Sequence, residues 1–158
     1  MKTRSAEPPA ARTTGISRLV DPQVHVESFR QARAARAQER AEDYVELIDD
    51  LLTDSGEARQ VDIAARLGVA QPTVAKALAR LADAGYVVRR PYRGVLLTAQ
   101  GIQLAAKSRE RHRMVEQFLQ AIGVDADSAR RDAEGIEHHV SAATLEAFGR
   151  FLAARDGR

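Results

Sequence analysis

Apolar residues recur at spacings of three and four along residues 36–53. Such spacing places them on one stripe of a helix with 3.6 residues per turn. The residues on this stripe are Tyr44, Val45, Ile48, Leu51 and Leu52. Gly56 follows, at a place where a glycine commonly ends a helix. The pattern therefore predicts an amphipathic helix over residues 36–53.

The next apolar pattern, over residues 61–87, predicts two short helices with a tight break at Gly68. Pro72 opens the second helix, since its missing N–H is not needed in a first turn. Ala64 is small enough for two helices to cross closely at a steep angle. The apolar positions are Ile63, Ala64 and Leu67 in the first helix, and Val74, Ala77, Leu78 and Leu81 in the second. Together they predict a helix-turn-helix.

Two β-rich runs follow in residues 87–98, around a turn with Pro91 and Gly94, and they predict a small hairpin. A long helical pattern then runs from Thr98 to about Leu119. Two shorter helices are predicted at roughly 125–138 and 141–154. The expected fold is mainly α with a small β-hairpin wing: an N-terminal winged helix-turn-helix followed by an α-helical dimerisation domain.

The N-terminal residues carry prolines, small residues and scattered arginines. Such a segment buries too little apolar area to offset the entropy of ordering it, so we expect a flexible basic arm over residues 1–36. The predicted boundaries after it are 37–98 for the winged helix-turn-helix DNA-binding domain and 99–158 for the helical metal-binding and dimerisation domain.

Composition excludes several classes of protein. The chain has no cysteine, which excludes a disulfide framework and a thiolate metal site. It has no apolar run of about 18 residues and no apolar secretory leader, so we expect a cytoplasmic protein without a membrane partner. Net charge is only +2, but residues 41–56 hold six acids and no base, and residues 57–107 hold eight bases and three acids. Basic blocks suit phosphates and acidic blocks suit cations.

The outer face of the second short helix is hydrogen-bonding and cationic, as a helix in the major groove of DNA requires. The arginines of the hairpin add candidate phosphate or minor-groove contacts. A helical hairpin with a merely solvated face is the alternative, but the basic wing that follows favours DNA binding. The candidate DNA-contacting residues are Gln71, Pro72, Thr73, Lys76, Arg80, Arg89, Arg90, Tyr92 and Arg93.

Carboxylates and histidines recur at helical spacings in three places. The groups are Asp43 with Glu46, His112 with Glu116, and Glu134 and Glu137 with His138. Each group alone is typical of a solvated helix face. If the first helix packs against the C-terminal helices, however, five carboxylates and two imidazoles converge and repel one another unless a cation is present. Oxygen-rich ligation with imidazole and no sulfur fits Mn²⁺ best and Fe²⁺ next.

Two further histidines receive no ligand role. His139 adjoins His138, and adjacent residues of a helix point about 100° apart, so it is expected to be a neighbour of the site. His25 lies in the predicted arm.

Residues from about 38 to 158 resemble the diphtheria toxin repressor family, in particular its manganese-responsive members. The segments that carry the resemblance are EDYVELI, DIAARLGVAQPTVAKALARL, YRGVLLT, RHRMVEQFLQAIGV and DAEGIEHHVS. The resemblance implies a homodimer that binds a palindromic operator in double-stranded DNA and represses manganese homeostasis genes. It also implies that metal stiffens the joint between the DNA-binding unit and the dimer core.

The resemblance further implies two Mn²⁺ ions per subunit. One is held mainly by Asp43, Glu46, His112, Glu134 and Glu137, and the other by Glu116, Glu134, Glu137 and His138. Iron-responsive relatives place methionine or cysteine where this chain has Asp43 and Glu134, which favours manganese.

Three other functions stay open from the sequence. An iron-responsive regulator of the same family is the first. The second is a di-metal hydrolase, in which paired carboxylates and histidines activate water, but the chain has no HExxH motif. The third is a metal-independent regulator with an incidental acidic cluster. The expected function is that of a non-enzymatic regulator without a small-molecule substrate.

Overall fold

The computed structural model describes residues 21–90 and 94–156. That part of the chain contains six helices and one two-stranded antiparallel sheet. In chain order the elements are α1 (Pro22–Ser55), α2 (Gln60–Leu67), α3 (Gln71–Asp83), β1 (Val87–Arg90), β2 (Gly94–Leu97), α4 (Ala99–Ala121), α5 (Ala126–Ile136) and α6 (Ala142–Asp156). The predicted fold class, mainly helical with a small β-hairpin, is confirmed.

The first helix begins much earlier than the sequence pattern suggested. Residues 22–36, which the sequence pattern placed in the expected flexible basic arm, are helical with exposed side chains. The Asp21 carboxylate accepts a hydrogen bond from the backbone N–H of Gln23 at 2.8 Å, and Pro22 occupies the first turn. Alanine, arginine and glutamine favour helix even without a buried face. Residues 1–20 of the expected arm lie outside the described residues.

Packing divides the described residues into two units, one that ends at Arg33 and one that begins at Ala34. The core lies in the second unit, where the predicted stripe of α1 meets α2, α3 and the hairpin. Val45, Ile48 and Ile63 are completely buried there. The other core residues are Tyr44, Leu51, Ala58, Ala64, Val74, Leu78, Leu81, Val87, Val95 and Ala105.

The predicted helix-turn-helix is formed by α2 and α3. Gly68 ends α2 in the left-handed conformation at φ 65°, where a Cβ is unfavourable. Pro72 lies in the first turn of α3, as its lack of a backbone N–H allows. These two residues set the tight break that leaves one face of α3 free.

The hairpin pairs Val87 with Leu97 and Arg90 with Gly94. The loop between α1 and α2 joins its edge, because the N–H of Val95 donates to the carbonyl of Ala58 at 2.9 Å. A Cβ on Gly94 would collide with that carbonyl oxygen, and φ is +75° there. Gly94 therefore permits the contact that joins the turn end of the hairpin to the loop after α1.

Helix α4 continues from the hairpin, with the Thr98 side chain accepting from the N–H of Gly101 as its N-cap. It packs against α5 and α6, and the Phe118 ring stacks on Phe148 with 3.8 Å between centroids. The helix predicted over 125–138 ends instead at Ile136, and residues 137–139 form a turn. None of the described helices is both long and apolar enough to cross a membrane.

Candidate metal centre and DNA-binding surface

Glu137 lies at the middle of the predicted ligand cluster. Its side chain is only 4% exposed. One carboxylate oxygen, Oε2, lies 3.5 Å from Nδ1 of His112, and the other, Oε1, lies 3.3 Å from Nε2 of His138. Within the described part of the chain Oε2 is buried and has no hydrogen-bond partner. A buried carboxylate oxygen without a partner is costly, and a cation would satisfy it.

A first subgroup surrounds His112 on α4. Nε2 of His112 lies 3.8 Å from a carboxylate oxygen of Glu116, and Nδ1 lies 3.8 Å from one of Glu134. Ligand atoms of His112, Glu134 and Glu137 all lie within 4.8 Å of one another. Residues from α4, from α5 and from the turn after it are thus close enough to share one cation.

A second subgroup surrounds His138, whose side chain is 6% exposed. Its Nε2 lies 3.8 Å from a carboxylate oxygen of Asp43, so α1 reaches the cluster from the DNA-binding half. The division implied by the family resemblance grouped Asp43 with His112, and Glu116 with His138. The distances here instead place Asp43 beside His138 and Glu116 beside His112. The reason is that the turn after α5 brings His138 against α1.

Burial and neighbouring carboxylates disfavour the ionised forms of two residues of the cluster, Glu137 and Asp43. Burial raises the pKa of Glu137 to about 8; Arg111 opposes the shift, and Glu46, Glu134 and Glu42 add to it. Burial also raises the pKa of Asp43, against the opposing effect of His138. Carboxylates that repel one another in a partly dry site take up either protons or a metal ion. The donor set, carboxylates and two imidazoles without sulfur, fits a hard or borderline divalent cation.

Sequence reasoning missed two residues beside the cluster, Glu42 and Arg111. Glu42 is 4% exposed, and its Oε2 accepts from Nη2 of Arg111 at 2.5 Å. The same oxygen lies 3.2 Å from Nδ1 of His138. Glu42 therefore joins α1 to α4 and to the turn that carries His138. A signal existed, because Glu42 precedes the buried Val45 by three residues and so lies beside the apolar stripe.

Part of the acidic block in α1 is already neutralised by the protein itself. The Arg109 guanidinium donates to Asp49 at 2.5 Å and to Asp50 at 2.6 Å. Its Nη2 also reaches the backbone carbonyl of Glu46 at 3.4 Å. This arginine of α4 thus neutralises the C-terminal part of the acidic block, whereas its carboxylate partners do not include Asp43 or Glu46 of the cluster.

The candidate DNA-contacting side chains of α3 all lie on its exposed face. These residues are Gln71, Pro72, Thr73, Lys76 and Arg80, and Arg89 and Arg90 are exposed on β1. Val74 and Leu78 hold the opposite face of α3 in the core. Tyr92 and Arg93, predicted at the tip of the wing, lie outside the described residues.

Known proteins match the chain along most of its length. The family model for the iron dependent repressor N-terminal DNA binding domain matches residues 37–95. The model for the iron dependent repressor metal binding and dimerisation domain matches residues 98–156. The transcriptional regulator MntR of Escherichia coli O157:H7 is 57% identical over 151 residues, which is 96% of each chain.

Two further comparisons agree. MntR of Salmonella typhimurium strain LT2 is 59% identical over 136 residues, covering 86% of this chain and 87% of the relative. The solved structure of the manganese regulator SloR superposes with a TM-score of 0.62 at 31% identity. That match covers 72% of this chain and 53% of SloR, so the matched part is about half of that regulator.

Proposed function

Because the chain belongs to the iron-dependent repressor family, also named for the diphtheria toxin repressor, we propose that Mn²⁺ is the metal that activates it. The protein is a metal-dependent transcriptional repressor that binds DNA and has a dimerisation domain. Its relatives are regulators and not enzymes, which removes the di-metal hydrolase.

The observation that carries the proposal is the position of Glu137 between two histidines, with ligands converging from both halves of the protein. We assign the metal ligands to Asp43, Glu46, His112, Glu116, Glu134, Glu137 and His138. Two ions per subunit are supported by the two subgroups, one around His112 and one around His138, with Glu137 common to both. Glu46 lies close enough to raise the pKa of both Asp43 and Glu137.

Manganese is favoured over iron by the donor atoms. Every ligand in the set is a carboxylate or an imidazole, and Mn²⁺ accepts oxygen ligands readily. Asp43 and Glu134 stand where, by resemblance, iron-responsive members carry sulfur. Relatives that are 57–59% identical are named MntR, and SloR is described as a manganese regulator. An iron-responsive repressor with the same architecture is the alternative.

Coupling between metal and DNA follows from where the ligands lie. Asp43 and Glu46 are on α1, whose C-terminal part forms the core that supports α3. The other ligands belong to α4, to α5 and to the turn after it. A bound divalent ion supplies positive charge that both sets of carboxylates share, which fixes α1 against the C-terminal helices. In a dimer this fixes the distance between two α3 helices, and a palindromic operator offers them major grooves roughly 34 Å apart.

The test is DNA binding by the purified protein with Mn²⁺, with Fe²⁺ under anaerobic conditions, and with a chelator. The DNA is a promoter fragment containing the operator, with a scrambled fragment of equal length as control. Allosteric coupling between two ligands typically changes affinity by about 5–150-fold. We expect an increase of that size with Mn²⁺ and a smaller one with Fe²⁺. Equal affinity with Mn²⁺ and with chelator would contradict the proposal, and a larger effect of Fe²⁺ would favour the iron alternative.

Lys76 and Arg80 are expected to contribute electrostatic affinity through the phosphates. Replacing either with alanine should reduce the slope of log affinity against log salt by about 0.9 for each lost phosphate contact. Gln71 and Thr73, at the start of α3, are better placed to read bases. Their replacement should reduce discrimination between operator and scrambled DNA while the salt slope stays unchanged. A salt slope that survives both alanine changes would show that α3 does not approach the backbone.

A further inference from the structure

A groove of about 700 Å³ runs between α3 and the part of α1 that precedes the metal ligands. Its apolar lining comes from side chains of both helices, including Ala37, Ala41, Ala77 and Leu81. One wall of the groove is the same face of α3 that carries Pro72 and Thr73. The groove therefore lies directly beside the proposed DNA-reading surface and lies entirely within residues 34–158.

Three cations line this groove, and no carboxylate does. Arg40 stands on the α1 wall, and Lys76 and Arg80 stand on the α3 wall. All three are exposed, and none forms an ion pair with another residue in the ranges 21–90 and 94–156. Arg109, Arg111 and Arg113, by contrast, are each paired with a carboxylate. The groove is thus a positively charged channel whose charges are available to an anionic partner.

We propose that this groove holds the phosphodiester backbone of the operator, with Arg40 of α1 as a second DNA-binding wall facing α3. A major groove about 12 Å wide is nearly filled by a helix 10–12 Å across, so a DNA strand must pass along the side of the helix. The groove follows α3 on such a side, from Pro72 to Ala84. The alanines of α1 leave room for that strand, and Arg40 meets its phosphates.

This inference rests on α3 being the helix that enters the major groove. A small organic anion is the other occupant that three cations and an apolar floor would suit. It is less favoured, because it would occupy the face of α3 that the family's DNA binding requires.

The first experiment measures operator affinity of the full-length, Mn²⁺-loaded protein across a series of salt concentrations. Arg40→Ala is expected to reduce the log–log salt slope by about 0.9, as loss of one phosphate contact does. Arg40→Lys should retain the slope. The matched control is Arg131→Ala, which removes an exposed arginine of α5 far along the chain and alters net charge equally. A slope for Arg40→Ala equal to that of Arg131→Ala overturns the proposal.

The second experiment locates the contact on the DNA by phosphate ethylation interference. For wild-type protein, ethylation of phosphates flanking each half-site should weaken binding. Arg40→Ala should lose sensitivity at one or two of these phosphates and keep it at those that Lys76 contacts. An unchanged pattern, together with normal DNA affinity, would overturn the proposal. The increase in affinity with Mn²⁺ should persist in Arg40→Ala, so failure here is distinct from failure of the manganese proposal.

Discussion

Glutamine in place of Glu137 is expected to abolish the response of DNA binding to Mn²⁺ while the protein stays folded. Glu137 is the residue that both histidines approach, at 3.5 Å for His112 and 3.3 Å for His138. Its replacement removes a negative charge from both subgroups at once. The gain in operator affinity expected from Mn²⁺, about 5–150-fold, should therefore disappear.

Stability of the metal-free Glu137→Gln variant should match or exceed that of wild type at neutral pH. Burial raises the pKa of Glu137 from 4.5 to about 8, so the folded metal-free protein holds a proton that the unfolded chain has released. Wild-type stability should then fall as pH rises from about 4.5 to about 8. Glutamine resembles the protonated acid in shape and cannot titrate, so the variant should lack this fall.

Two measurements decide this prediction. Operator affinity is titrated with Mn²⁺, and urea unfolding is followed in chelator between pH 5 and pH 8. Glu110→Gln is the control, because Glu110 is exposed on α4 and pairs only with Arg113 among the described residues. It should keep the full metal response. A Glu137→Gln protein that still responds to Mn²⁺ like wild type would remove Glu137 from the site.

The second large effect is expected at the buried pair of Glu42 and Arg111. Their side chains are 5% and 21% exposed, and their charged atoms are 2.5 Å apart. Removing one partner of such a pair costs about 3–5 kcal/mol, and the His138 imidazole beside Glu42 would offset only part of that cost. Arg111→Met should lower the free energy of unfolding of the metal-free protein by that order. It should also weaken Mn²⁺ binding, because Glu42 would no longer be held against Nδ1 of His138.

A double-variant cycle separates the ion pair from simple loss of packing. Glu42→Gln combined with Arg111→Met should be more stable than Arg111→Met alone, since no charge is left unpaired. The comparison pair is Arg113 with Glu110, an exposed i,i+3 pair of α4 that is worth about 0–1 kcal/mol. Urea unfolding in chelator measures all of these variants. If Arg111→Met costs no more than Arg113→Met, the buried pair does not stabilise the fold.

Local signals in the sequence were sufficient for most elements of the fold. Gly68 and Pro72 placed the break between α2 and α3, and Thr98 placed the start of α4, because each residue acts on its own turn of backbone. The start of α1 was misplaced although Asp21 and Pro22 are an N-cap and first-turn pair. The apolar stripe begins only near Tyr44, whereas residues 22–36 form a helix without burying one.

The site was less accessible to sequence reasoning wherever it depends on contacts between distant residues. Spacing within a helix grouped His112 with Glu116, which the structure keeps together. No spacing rule connects Glu42 with Arg111, because 69 residues separate them and only the packing of α1 on α4 brings them together. The same packing places Asp43 beside His138 and so changes how the ligands divide.

Helix α1 carries Asp43 and Arg40 less than one turn apart, the first directed to the metal cluster and the second to the groove along α3. When the metal ion or the DNA binds, it restrains this short stretch of α1, and the other ligand then binds to a stretch that is already restrained. Thermodynamic linkage requires this effect to be mutual. A dimer on its operator should hold Mn²⁺ more tightly than a free dimer, by the same factor by which Mn²⁺ strengthens DNA binding. The protein should thus have two affinities for the metal, one as a free dimer and a higher one on its operator. As the activating metal becomes scarce, free dimers should therefore lose it first and operator-bound dimers last.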